Sequence, residues 1–234
     1  MGRTSDSITL GSLFPDMAIN ARMTHTMAHS MGKKILQICK DNSKLLDFAR
    51  GVVTHGISPR GLDYYGDEKF PGCERGYCFE KGRSLVEQTI DACNIPAEMG
   101  WWKAHNIVEM GIELRVSNRG PFGQTIRRAF NNHRLINQIG NLLADITGYD
   151  RYQLKSRIAG FPDYIEIFQA TPQSLANKYR IQMFARHRIN INTAKVARLI
   201  EAAAEQVEDD LAEFFRVTND NVLAALKDIE KALT

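Results

Sequence analysis

The chain has 234 residues, of which 44% are hydrophobic and 24% are charged, and its formal net charge is +3. This composition is typical of a soluble globular protein, and the chain is long enough for one large core. No apolar run is long enough to cross a bilayer, and the polar first residues lack a secretory pattern, so we expect a cytoplasmic protein. The four cysteines have no C-x-x-C spacing and are expected to be free thiols.

Helical periodicity dominates and strand signals are nearly absent, so the sequence predicts an all-α fold, a multi-helix bundle in a single domain, 1–234, with a metal cluster between helices. Turn residues in 1–20 predict an N-terminal loop. Residues 21–147 are expected to supply the metal-site helices, and residues 172–234 the C-terminal helices. The predicted helices are 21–39, 45–55, 84–93, 96–116, 122–146, 150–159, 171–187, 192–208 and 209–233. The long irregular segment 56–83 is of a kind that is usually functional or mobile.

Charge is unevenly distributed along the chain. Residues 201–234 carry nine acids against three bases, whereas residues 114–144 carry five arginines and no acid. The arginine-rich stretch could receive an anionic substrate, or it could be a solvated helix face that pairs with acids elsewhere. No recognised nucleic-acid-binding motif is present, so nucleic acid is not expected as a partner. The acidic C-terminal helices could bind a partner or form a homo-oligomer.

The segment around His105 and Glu109 carries the first sign of chemistry. The two residues are four apart in a predicted helix, so an imidazole and a carboxylate lie one above the other, close enough to bind one metal ion. Trp101, Val108 and Ile112 give the same face an apolar character. Neither polar group is stable on such a face without a strong partner. The pair therefore predicts either a metal ligand set or a buried His–Glu hydrogen bond.

Three predicted helices each combine a histidine with a nearby carboxylate. The six residues are Asp16 with His25, His55 with Asp63, and His105 with Glu109. Three imidazoles and three carboxylates are what a site for two or more divalent ions requires. Because three separate helices repeat the arrangement, a set of ordinary core histidines is a weaker explanation. His29, one turn after His25, is a further candidate ligand or a partner that orients one.

The order of these motifs resembles that of the zinc-dependent phospholipase C family. The resemblance is carried by Thr24-His25-Thr26-Met27 at the start of a helix, by Phe48-x-x-Gly51-x-x-x-His55, and by His105-x-x-x-Glu109. That family, with its nuclease relatives, is an all-α bundle that holds up to three zinc ions. The resemblance implies that His25, His55, His105 and Glu109 are zinc ligands and that Asp63 is the carboxylate following the second histidine.

The chain departs from the family pattern in three places. Pro59 stands one turn after His55, where the family has an aspartate, and the family's next histidine is missing. The family's N-terminal tryptophan ligand has no counterpart, and Asp16 is a candidate for a replacement oxygen. These departures bear on metal number and lipid substrate more than on the fold.

The sequence therefore predicts a zinc-dependent phosphoesterase with two or three ions, although other divalent metals would also fit. A phosphodiester or a phospholipid headgroup is the substrate that the resemblance implies, and Asp67 or Glu113 is the candidate general base. One alternative is a non-catalytic helical protein with a structural metal site and a helical interaction surface. Another is a nucleotide phosphohydrolase of the histidine–aspartate type, which expects an adjacent His-Asp pair that the chain lacks.

Overall fold

The structure, a computed structural model, describes residues 5–20 and 23–233. Within these ranges the regular structure is entirely helical. The α-helices are α1 (Asp6–Asn20), α2 (His25–His29), α3 (Gly32–Cys39), α4 (Ser43–His55), α5 (Tyr77–Gly82), α6 (Val86–Cys93), α7 (Gly100–Ser117), α8 (Phe122–Phe130), α9 (His133–Thr147), α10 (Arg151–Ala159), α11 (Pro172–His187), α12 (Thr193–Gln206) and α13 (Leu211–Leu233). No described helix combines the length and the hydropathy that a bilayer crossing requires.

The chain forms two compact units, each built from segments that are separated in sequence. Unit 1 comprises Met1–Tyr64, Gln124–Pro162 and Thr218–Thr234, and unit 2 comprises Tyr65–Gly123 and Asp163–Val217. The helices α1 to α4 therefore belong to unit 1, whereas α5 to α7, α11 and α12 belong to unit 2.

The core of unit 1 is built around the crossing of α1 and α4. Phe14 of α1 and Phe48 of α4 are fully buried and meet edge to face, with ring centres 5.6 Å apart. Gly11 and Gly51 lie where the two backbones touch, and a Cβ on either one would collide with a carbonyl oxygen of the other helix. The absence of two side chains therefore permits the close crossing.

The segment after α4 is fixed to the end of α2. The carbonyl oxygen of His29 accepts hydrogen bonds from the backbone N–H groups of Ile57, at 2.8 Å, and Ser58, at 3.2 Å. Gly61 closes the turn by donating its N–H to the carbonyl of Gly56 at 2.8 Å. These bonds hold Asp63, which follows the turn, near the histidines of α2 and α4.

Unit 2 is organised around α7, which packs against α5, α6 and α12. The inner side of α7 is apolar, with Ala104, Ile107 and Val108 fully buried. The facing side of α12 contributes Val196 and Ile200, spaced four residues apart as a helix face requires. The same inward side of α7 also buries His105.

The predicted all-α class is confirmed, but the predicted N-terminal loop is wrong. Residues 6–20 form α1, with Leu10, Phe14 and Met17 no more than 1% exposed on one helical face. The two residues that suggested turns, Gly11 and Pro15, lie inside the helix. Packing of the apolar face against α4 outweighs the single N–H that Pro15 lacks.

Two predicted long helices are each divided in the structure. The helix predicted over 21–39 is α2 followed by α3, and residues 21 and 22 lie outside the described residues. The helix predicted over 122–146 is α8 followed by α9. Asn132 begins α9 by accepting the N–H of Leu135 through its side chain, because asparagine competes for backbone groups inside a helix.

Candidate metal centre

Five residues of unit 1 form a cluster of metal-ligand type, which we name the His–Asp cluster. Its members are Asp16 on α1, His25 and His29 on α2, His55 at the end of α4, and Asp63 after the turn that follows α4. Four of them were predicted as ligands from the sequence. The fifth, His29, was a secondary candidate, although its spacing of four residues from His25 indicates that the two share a helix face.

Backbone hydrogen bonds fix the rings of His29 and His55. The Nδ1 atom of His29 donates to the carbonyl oxygen of His25 at 3.0 Å, and Nδ1 of His55 donates to the carbonyl oxygen of Ser12 at 2.5 Å. A carbonyl oxygen only accepts, so both Nδ1 atoms carry hydrogen and the Nε2 lone pair is available in the neutral rings. Ser12 follows Gly11, so the close crossing of α1 and α4 determines this geometry.

The two Nε2 atoms converge on one oxygen of Asp63. Oδ2 lies 2.9 Å from Nε2 of His29 and 3.2 Å from Nε2 of His55. Neither Nε2 atom has a hydrogen-bond partner of acceptable direction among the described residues. The contacts are therefore short, but their direction is poor for hydrogen bonds.

Asp16 and His25 complete the cluster on its outer side. A carboxylate oxygen of Asp16 lies 3.9 Å from Nε2 of His55, and the ring of His25 stacks on His29 with centres 4.0 Å apart. The side chain of Asp16 is 45% exposed, whereas that of His29 is 1% exposed. The cluster therefore has a buried inner side and an outer side in contact with solvent.

Charge inside the cluster shifts the pKa values of its members. Burial disfavours the charged ring of His55, but the nearby Asp63 carboxylate outweighs burial and raises the pKa of His55 to about 10. Burial opposes ionisation of Asp63, yet His55 and His29 together lower its pKa. Burial lowers the pKa of His25, and the neighbouring His29 lowers it further. Without a metal, the cluster is thus held by attraction between an imidazolium and a carboxylate.

Two overlapping groups of three ligand atoms in the cluster lie close enough together to hold a metal ion. Ligand atoms of Asp16, His29 and His55 lie within 4.8 Å of one another, as do those of His25, His29 and Asp63. Zinc lies about 2.0–2.2 Å from nitrogen and carboxylate ligands, so a bound ion would require these atoms to adjust their positions. Imidazole and carboxylate ligands suit zinc and its neighbours in the first transition row.

Unit 2 holds the other predicted ligands, His105 and Glu109, in a different environment. Nε2 of His105 accepts a hydrogen bond from the side-chain amide of Asn106 at 2.9 Å, and the same amide donates to Glu109 at 3.1 Å. The ring of His105 stacks on Phe79, with centres 4.2 Å apart. The structure describes this group within unit 2 alone, so the prediction that His105 and Glu109 share one zinc cluster with His25 and His55 stays a prediction.

A second group of metal-ligand type surrounds Glu109. Ligand atoms of Asp67, Cys78 and Glu109 lie within 4.8 Å of one another. Asp67, predicted as a general base, is thus brought together with Glu109 within unit 2. Cys78 was not among the predicted ligands. Its spacing from Cys73 argued against a local zinc motif, and spacing gives no information about residues that are distant in sequence.

Glu113, the other predicted general base, lies one turn after Glu109 on α7. Its side chain keeps contact with solvent. Crowding by protein atoms raises the pKa of its carboxyl, and the negative charge of Glu166 acts in the same direction. A carboxyl with a raised pKa is a better proton acceptor near neutral pH than an ordinary one.

Comparison of the chain with protein-family models, curated proteins and solved structures finds no significant match. The interpretation of the site therefore depends on its geometry and on the motifs in the sequence.

Proposed function

We propose that unit 1 binds a divalent transition-metal ion, zinc in the first place, in the His–Asp cluster, and that the chain hydrolyses a phosphate ester there. The observation that carries the proposal is the convergence of Nε2 of His29 and Nε2 of His55 on one carboxylate oxygen, at 2.9 and 3.2 Å. Both rings are held in that orientation by backbone carbonyls.

A metal ion accounts for this convergence better than protons do. If both rings are neutral, two lone pairs face a carboxylate oxygen and repel it. If both are protonated, two like charges with ring centres 5.3 Å apart lie in a largely buried site, which is unfavourable. If only one Nε2 atom is protonated, the other ring still directs a lone pair at the carboxylate. A divalent cation among the three groups satisfies both nitrogens and the carboxylate together.

The exposed outer side favours a catalytic site over a structural one. Structural zinc sites are enclosed by four protein ligands, whereas catalytic sites keep a position open. Here His29 lies on the buried side, and Asp16 and His25 lie on the side in contact with solvent. A substrate could therefore approach the ion between these two residues.

Each residue has a distinct role in the proposed hydrolysis. A bound zinc ion supplies Lewis acidity and lowers the pKa of a coordinated water. His29 and His55 would hold it, with their orientation fixed by the carbonyls of His25 and Ser12. The solvent-exposed Asp16 carboxylate would supply an oxygen ligand on the outer side of the cluster. Exposed Arg60, whose guanidinium lies 4.7 Å from the ring centre of Tyr64, offers a positive charge for a phosphate.

Two considerations support a phosphate ester as the substrate class. The motif order resembles that of the zinc-dependent phospholipase C family, and Arg60 lies in the segment that joins His55 to Asp63. A phosphodiester and a phospholipid headgroup share this chemistry. The proposal has three further parts. His105 and Glu109 would be additional ligands, a second or third zinc ion would bind, and Asp67 or Glu113 would be the base.

The proposal is tested by elemental analysis of protein purified without added metal. We expect at least one equivalent of zinc or a similar ion in the wild type, and its loss in His29→Ala and His55→Ala. His133→Ala is the matched control, because His133 is an exposed histidine on α9 of the same unit. Full metal content in both cluster variants, or no metal in the wild type after zinc dialysis, would contradict the proposed site.

Activity is then measured on bis(p-nitrophenyl) phosphate and p-nitrophenyl phosphate. We expect turnover in the wild type and in His133→Ala, and none in the metal-free variants. Retained metal without turnover on either ester or on phospholipid would point to the non-catalytic alternative, a protein with a structural metal site.

A further inference from the structure

A basic stretch lies on α11 and α12, outside the residues used above. Residues 171–200 contain six basic residues and no acid. The bases are Lys178, Arg180, Arg186, Arg188, Lys195 and Arg198. The next acid along the chain is Glu201. Such a stretch has a positive local charge that the small net charge of the whole chain conceals.

The helix α11 has apolar residues on two opposite sides. Its inner side packs into the core of unit 2 through Leu175, Tyr179 and Met183, which are all buried. On the outer side Ile181 is 40% exposed and Phe184 is 47% exposed. Large apolar residues of the inner side are explained by packing, whereas those of the outer side contact solvent.

Arginines and a tryptophan adjoin the exposed apolar residues. Arg180 is on the same helical face as Phe184, given a rotation of about 100° per residue, and Arg188 is the left-handed residue that caps the C-terminus of α11. The guanidinium of Arg188 lies 5.4 Å from the ring centre of Phe184. Trp102, 48% exposed, contacts His187, one turn after Phe184, with ring centres 5.8 Å apart. We name Arg180, Ile181, Phe184, Arg188 and Trp102 together the α11 face.

The arginines of the α11 face are not neutralised within the described part of the protein. Neither Arg180 nor Arg188 forms an ion pair with a described residue, and both are exposed. By contrast Lys195 pairs with Asp91 at 2.6 Å. Two unneutralised arginines beside two exposed apolar residues and a tryptophan are complementary to a surface that is both anionic and apolar.

We propose that the α11 face docks on an anionic lipid bilayer. Basic helices with aromatic and aliphatic residues lie in the membrane interface, with the apolar side chains at the headgroup boundary and the cations at lipid phosphates. Phe184 and Ile181 would enter that boundary, and Trp102 has the amphipathic ring that is enriched there. Docking of this kind needs no metal and is independent of the proposed hydrolysis.

The composition of the face favours a bilayer over nucleic acid. Single-stranded nucleic acid would use the arginines and could stack on Phe184 and Trp102, but it would gain little from an exposed isoleucine. A bilayer uses all five residues of the face.

The test is co-sedimentation of the full chain with large unilamellar vesicles, after treatment with EDTA. Vesicles of phosphatidylcholine alone are compared with a 3:1 mixture of phosphatidylcholine and phosphatidylserine. We expect binding to the anionic vesicles only, decreasing with salt. The pair Arg180→Gln and Arg188→Gln should lower the partition coefficient about tenfold or more, since each basic residue contributes to binding at an anionic surface. The pair Ile181→Ser and Phe184→Ser should lower it similarly.

Matched controls lie in unit 1. Ile38→Ser removes an exposed aliphatic residue, and Arg134→Gln removes an exposed arginine; neither should change binding. A blue shift of tryptophan emission on vesicle addition should disappear in Trp102→Phe, which keeps Trp101. Absence of binding to anionic vesicles at low salt would overturn the proposal. So would binding to oligouridylate that depends on the arginines while vesicle binding does not.

Discussion

The His–Asp cluster of unit 1 and the His105 group of unit 2 contain the same residue types in different states. In the cluster, backbone carbonyls bind the Nδ1 atoms of His29 and His55, and both Nε2 atoms face Asp63 without a hydrogen bond of acceptable direction. In unit 2, Nε2 of His105 accepts a hydrogen bond from Asn106. The first arrangement keeps ligand atoms available to a cation, and the second commits one of them to a neutral amide.

We infer from this difference that the surroundings of a histidine, and not its residue type alone, decide whether it is suited to bind a metal ion. When a backbone carbonyl accepts the hydrogen on Nδ1 of a histidine, the tautomer and orientation of the ring leave Nε2 suited to bind a metal ion. A ring stacked on Phe79 and bonded to its sequence neighbour has its position explained by packing. We therefore expect the first metal equivalent to depend on unit 1 more than on His105.

The largest expected effect is on metal-dependent stability. At a free zinc concentration of one hundred times the dissociation constant, binding stabilises the folded state by about 2.7 kcal/mol. We expect this difference between zinc-loaded and EDTA-treated wild type in urea unfolding. It should vanish in His55→Ala, and most of it should remain in His105→Ala.

The comparison of His55→Ala with His105→Ala tests whether His105 belongs to the same metal centre. If His105→Ala loses the zinc effect as completely as His55→Ala, His105 belongs to the same centre, as the family resemblance implies. His133→Ala serves again as the exposed control.

The close crossing of α1 and α4 gives the next prediction. In Gly51→Ala the new methyl group would collide with the carbonyl of Ile8, so the helices must separate. We expect a loss of about 2 kcal/mol in the free energy of unfolding, within the usual range for overpacking. Separation would also displace Ser12 and Asp16 relative to His55, so zinc affinity should fall.

Gly160→Ala is the control for this substitution, because in the same unit the nearest atom to its added methyl group would be 3.3 Å away. Denaturant unfolding and zinc titration measure both effects. Unchanged zinc affinity in a destabilised Gly51→Ala would show that the crossing does not position the ligands.

Stability of the metal-free protein should depend on pH through His55 and Asp63. The pKa of His55 is raised to about 10, so its contribution is complete below about 6.5, the ordinary value, and is lost as the pH rises through 10. The pKa of Asp63 is lowered, so its contribution is present above about 3.9 and is lost as the pH falls through the lowered value. The pair therefore stabilises most between about pH 4 and 6.5.

Urea unfolding in EDTA measures this dependence in the wild type and in Asp63→Asn. We expect Asp63→Asn to cost about 1–3 kcal/mol at pH 6, and less as the pH approaches 10. A constant difference between pH 6 and pH 10 would mean that His55 is neutral in the metal-free protein.

Hydrophobic periodicity was sufficient to predict the fold class and most helices, but it missed α1. In a local sequence pattern, glycine and proline indicate turns. In α1, however, Gly11 permits close contact with Phe48 and Gly51, which lie far along the chain. No local pattern contains that information, because it depends on which helix packs opposite. The division of the predicted helix 122–146 could have been predicted, since Asn131-Asn132 is a plausible helix start.

Part of the candidate site could be predicted from the sequence in the same way. Residue type and spacing found Asp16, His25, His55 and Asp63, which the fold brings together in unit 1. Spacing could not reveal that the ring of His29 is fixed by a carbonyl, because that bond depends on backbone geometry. Nor could it indicate that Cys78 lies beside Glu109, thirty-one residues further along the chain.

Asn106→Ala gives the smallest expected effect and tests the interpretation of the His105 group. The Asn106 amide donates to both His105 and Glu109, so its removal takes one hydrogen bond from each. We expect a loss of about 1 kcal/mol in the free energy of unfolding, as is usual for a hydrogen bond of this kind. The first zinc equivalent should be unchanged, while a second, weaker equivalent should become easier to load in a zinc titration, because two ligand atoms lose their competitor. If instead the first equivalent is lost, Asn106 orients a ligand of the primary metal, and the His105 group is as much a prepared site as the His–Asp cluster.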